Sequence, residues 1–74
     1  MPMSFEQAIV VSRGDSVFYE FSHEDVPPCN YRVLSVRRHE RGNPIFLLEG
    51  MGFDDFEASY RACNLPKKES MERV

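Results

Sequence analysis

Four side chains in this sequence have the chemistry to bind a metal or to attack a substrate: Cys29, Cys63, His23 and His39. Thiolates and imidazoles are the usual ligands of zinc. Their spacing contains no CxxC and no HxxxH, so no recognised finger is present. The simpler expectation is two reduced, partly buried thiols that behave as small apolar side chains. A Cys29–Cys63 disulfide would require an oxidising compartment. A nucleophilic cysteine would require a lowered pKa beside an imidazole. Both cysteines instead precede asparagine in expected loops. Asp54 and Asp55 are adjacent, so on a strand they point to opposite faces, and on a helix they serve as a cap. No G-x-S-x-G, P-loop or H-E-x-x-H occurs. The expectation is a protein that is not an enzyme, with no cofactor and no metal.

The sharpest charged feature is basic. Arg32, Arg37, Arg38, His39 and Arg41 fall on one expected strand and its loop. The planar guanidinium fork suits phosphate and carboxylate alike. A basic hairpin of this kind can lie along a nucleic-acid backbone. Arg37, Arg38, His39 and Arg41 are therefore the candidate partner-binding residues. Glu40 sits inside the cluster and partly cancels it, and a hairpin tip is often charged only because it is solvated. The acidic counterpart comprises Glu49, Asp54, Asp55 and Glu57, with Glu20, Glu24 and Asp25 elsewhere. Such a face would meet a basic partner or imitate a phosphate backbone.

Nine Lys and Arg against twelve Asp and Glu give a net charge of −3, without the positive field of a general nucleic-acid binder. With 74 residues, the chain is one small domain with a thin stability margin. Six Phe and three Tyr provide large core pieces, which argues against disorder. A homodimer would cover apolar surface that one copy leaves open. The first residues show no basic and then apolar leader, and no apolar run approaches the ~20 residues that span a bilayer. The expected location is the cytoplasm, with no membrane partner.

The side chains above need elements to hold them. Ser4 with Gln7 resembles a capping box, whereas Ile9-Val10-Val11 is β-branched. The pattern predicts a short helical turn at 4–7 feeding a strand at 8–12. Arg13-Gly14-Asp15 is a turn, and Ser16–Phe21 alternates as a strand with Val17, Tyr19 and Phe21 on one face. Residues 22–30 form a long loop broken by Pro27 and Pro28. Tyr31–Arg38 follows, with Tyr31, Val33 and Ser35 on one face and Arg32, Leu34 and Val36 on the other. His39–Asn43 is a hairpin loop, Pro44 suits a strand start, and Ile45–Glu49 is the strongest core strand. Gly50-Met51-Gly52 turns the chain. Residues 53–60 fit either a helix or a helical turn followed by a closing strand near Glu57–Arg61. Four or five short strands with little helix suggest a mainly β fold: a small SH3-like five-stranded barrel or a curled antiparallel sheet, spanning 1–64. The charged, proline-broken 65–74 is expected to be disordered.

Gly14-Asp15-Ser16-Val17, Tyr31-Arg32-Val33-Leu34-Ser35-Val36, Phe46-Leu47-Leu48-Glu49-Gly50, and Phe56 with Tyr60-Arg61 together resemble a pattern of small uncharacterised phage and prophage proteins with an SH3-like barrel. The similarity runs over residues 13–62, and Ala62 departs from it where a proline usually stands. The resemblance implies a phage or mobile-element origin and no catalytic role, and it transfers no functional residue. The functional expectation is a non-catalytic protein-interaction module, one version being an inhibitor of a host defence complex. The alternatives are a nucleic-acid-binding accessory protein using the arginine hairpin, and a small phage structural protein.

Overall fold

In a computed structural model the described residues are 2–22, 26, 28–39 and 42–67. His23, Glu24, Asp25, Glu40, Arg41 and the segment 68–74, with most of the expected tail, lie outside them. A one-turn helix α1 (Phe5–Ala8) precedes β1 (Ser16–Tyr19), β2 (Cys29–Arg38), β3 (Pro44–Leu48) and β4 (Phe56–Ser59). A 3-10 turn (Tyr60–Ala62) leads into β5 (Cys63–Asn64). All pairings are antiparallel, in the order β4-β3-β2-β1-β5. The result is a curled half-barrel, the mainly β architecture the alternation predicts. Among the described residues no helix is long and apolar enough to cross a membrane.

The capping box forms as read: Ser4 Oγ accepts from Gln7 N, and Gln7 Oε1 accepts from Ser4 N. The expected strand at 8–12 does not. Ile9 N donates to the Phe5 carbonyl and Val11 N to the Ala8 carbonyl, so the chain continues as turn. A β-branched run becomes a strand only beside a partner edge. Met3 occupies that position instead, donating its N–H to the Cys63 carbonyl at 3.0 Å.

β2 carries the fold. Its first half, Cys29–Arg32, pairs with β1, and its second half, Val33–Arg38, with β3. Val33 lies opposite Leu48, yet Ser35 lies opposite Leu47, so Leu34 is an extra residue in the ladder. Such a bulge bends the strand and reverses its alternation. Tyr31 and Val33 point inward before it; after it Val36 packs on the core while Ser35 and Arg37 are exposed. The predicted face shared by Tyr31, Val33 and Ser35 therefore breaks at Leu34.

Val17, Tyr31, Val33, Phe46 and Leu48 are buried to within 1% of completely, and Ala8, Tyr60 and Cys63 join them. Each large apolar side chain contributes roughly 1.5–3 kcal/mol. Pro44 opens β3, where its missing N–H costs no ladder bond. Around 53–60 the strand precedes the helical turn, and it pairs with β3. The strand that meets β1 is Cys63–Asn64, two residues beyond the expected position.

Phe46 is completely buried on β3, paired with Val36 of β2 on one side and Ala58 of β4 on the other. Phe46→Ala is expected to cost about 3–5 kcal/mol. In a domain this small that approaches the whole folding free energy. Urea unfolding followed by circular dichroism should show the variant largely unfolded before denaturant is added.

Candidate functional site

The predicted basic hairpin is distributed among internal contacts. Arg37 points outward on β2 beside Ile45 of β3, and Glu57 of β4 lies beside Leu47 on the same face. The arginine reaches across β3 and grips that carboxylate with both prongs, Nε to Oε2 at 2.7 Å and Nη2 to Oε1 at 3.0 Å. The hydrogen bonding and charge lower the Glu57 pKa and raise that of Arg37. Arg38 Nη1 donates to the Gly42 carbonyl at 2.9 Å, bracing its own hairpin, where Gly42 takes a positive φ. Arg32 stands 4.0 Å from Glu49. His39 is exposed at the end of β2, and its backbone N–H is held by Asn43. Arg41 lies outside the described residues.

The thiols occupy one row of the sheet. Tyr19 of β1 pairs with Cys29 on one side and Cys63 on the other. Two strand spacings put the cysteine backbones ~10 Å apart. That is beyond the reach of a disulfide, which needs Cα atoms within about 7 Å. His39 sits at the far end of β2, roughly 30 Å of strand from Cys29, so these groups cannot converge on one ion. Among the described residues no trio of His, Cys, Asp or Glu is placed to hold a metal. Burial pushes the Cys63 thiol up to about 12, so it stays protonated at neutral pH. The Tyr31 hydroxyl is buried without a hydrogen-bond partner, and desolvation, aided by nearby Cys29, also raises it to about 12.

A concave surface lies elsewhere, between α1 and the chain after β5. The capping box and fully buried Ala8 fix the turn so that Ile9 and Val10 are left outside, Val10 at 74% exposure. Opposite them Leu65 is 48% exposed. Its segment is strapped down by Asn30, which donates Nδ2–H to the Lys67 carbonyl at 2.7 Å and accepts Lys67 N–H at 2.9 Å. The Lys67 ammonium also lies 4.3 Å from the centre of the Phe18 ring. Between these walls are two hollows of about 300 and 290 Å³. Pro2, Met3 and Asn64 line the first, Val10, Val11 and Pro66 the second, and Gln7 and Leu65 border both. The Asn64 Oδ1 acceptor is buried and finds no hydrogen-bond partner. None of these residues stands out by type in the sequence. Only the apolar run at 8–11 marks the place.

The chain matches no known protein family, no curated protein and no solved structure.

Tyr31 and Cys63 make a pH prediction. Both acids have raised pKa values in the fold, so the folded state resists their deprotonation. Their contribution is intact below the ordinary values of 9.0 and 10.0 and is lost as pH rises toward about 12. Melting temperatures should hold level up to about pH 9 and then fall. Tyr31→Phe removes a hydroxyl without a partner, so it should be neutral or stabilising at pH 7 and should soften the alkaline fall. An unchanged alkaline limb in that variant would contradict this assignment.

Proposed function

We propose that this chain is a non-catalytic protein-interaction module that seats an extended apolar segment of a partner protein in the groove between α1 and β5. One observation carries the reading: Leu65 stands in water at the border of two adjoining hollows, Val10 stands in water along the second, and Asn64 lines the first. Apolar concavity with a few polar groups is the usual form of a binding site. The arginine hairpin supports binding less well, because the forks of Arg37 and Arg38 already hold Glu57 and Gly42. A phage or mobile-element accessory role, as the resemblance implies, fits a small module of this kind.

The test uses Val10→Asp and Leu65→Asp. Both positions are exposed, so the melting temperature should change little. A displayed peptide library selected on the wild-type chain should yield sequences with two or three apolar residues. Their affinity should fall at least about tenfold on either variant, the effect of roughly 1.4 kcal/mol of lost contact. Peptides that bind both variants as well as wild type would overturn the reading. A wild-type dimer by light scattering that Leu65→Asp dissociates would also overturn it, by giving the groove to a second copy.

A further inference from the structure

The loop joining β3 to β4 shares no residue with the groove, and it presents apolar side chains of its own. Met51 is 56% exposed and Phe53 is 40% exposed. They are held there by a closed backbone. Gly50 N–H donates to Asp55 Oδ1 at 3.0 Å, tying the two ends of the loop together. Gly50 lies so close to the opposite strand of the loop that an added Cβ would overlap the Phe53 carbonyl oxygen. The Phe53 ring is anchored against Phe21, Tyr31 and Phe56, with centroids 5.8, 6.3 and 6.0 Å away. A loop fixed in this way loses little conformational freedom when it binds.

Its charge names the occupant. From Glu49 to Tyr60 the chain has four carboxylates and no lysine or arginine. Glu57 is taken by Arg37, and Glu49 stands beside Arg32. Asp55 holds the loop closed, while among the described residues Asp54 has no ion-pair partner. An exposed carboxylate next to exposed Met and Phe complements a lysine or arginine, whose ammonium or guanidinium would meet Asp54 while its methylene stem covers the rings. Methionine adapts its shape to such a partner.

We propose that the Gly50–Asp55 loop is a second docking surface, and that its occupant is a basic, apolar segment of a protein. The surface shares no residue with the hollows of the α1–β5 groove, so occupation of one leaves the residues of the other uncovered.

The experiment is a titration of the full 15N-labelled chain, observed through its amide resonances, with three synthetic peptides of equal leucine content: leucine–lysine, leucine–serine and leucine–glutamate. The leucine–lysine peptide should shift the Met51–Asp54 amides. Asp54→Asn should weaken it about threefold or more, and raising the salt from about 50 to about 500 mM should weaken wild type more than that variant. Met51→Ser, whose other resonances must stay in place, should weaken it about tenfold at either salt. Equal binding of the leucine–glutamate or leucine–serine peptide at the loop would overturn the basic partner. Shifts confined to Gln7 and Leu65, or no change in both variants, would overturn the loop as a surface while leaving the groove standing.

Discussion

The extra residue at Leu34 is the constraint on which this fold depends. β2 is the one strand that touches both layers, its first half on β1 and its second on β3. A straight ladder would keep odd-numbered residues inward from Tyr31 to Arg37. It would bury Ser35 and Arg37 and turn Val36 out to water. A buried, unpaired guanidinium costs several kcal/mol, a large fraction of the stability of a small domain. The bulge removes the conflict by reversing the alternation at the point where the strand must bend. One insertion thus brings Tyr31, Val33 and Val36 to the same core and sends Arg37 to the outer face, facing Glu57 across β3.

That arrangement explains why a cluster of charge along the chain is not a patch of charge on the surface. Arg32, Arg37 and Arg38 are close in sequence, but the sheet gives each a different neighbour: Glu49, Glu57 and the Gly42 carbonyl. Glu57 is twenty positions from Arg37. The Arg37–Glu57 contact exists only because β3 has the width of one strand and both residues fall on its outer side. Spacing along the chain shows which residues are basic. It does not show which carboxylate the ladder will bring alongside.

Local signals were readable where local physics decides. The alternation of Val17 and Tyr19, the strand start at Pro44, the hairpin at Gly42 and the capping box of Ser4 and Gln7 each rest on a few neighbouring residues, and each appears in the fold, although the strand stops at Tyr19 and Phe21 packs on the core from beyond its end. The bulge was not readable, because Leu34 is apolar and suits either face. The run Ile9-Val10-Val11 misled for a related reason. β propensity measures fit to a half-buried pleated surface, not an intrinsic wish to extend. The edge that would have offered such a surface is taken by Met3, so the run turns aside and Val10 remains in water.

The groove is a by-product of keeping the half-barrel's edge from associating. An open sheet must cover or blunt its outer strands. Here Met3 bonds the outer side of β5, and the Asn30–Lys67 pair ties down the segment beyond it. These covering segments are short and lie on the rim of the core. They cannot bury all of their own apolar side chains, and Ile9, Val10 and Leu65 stay out. The same pieces that protect the edge therefore make the surface a partner would want. A guest in the groove that touched both α1 and the Leu65–Lys67 strap would add stability by mass action. In the proposed binding, a guest seated there would cover Ile9, Val10 and Leu65, the apolar side chains that the covering segments leave in water.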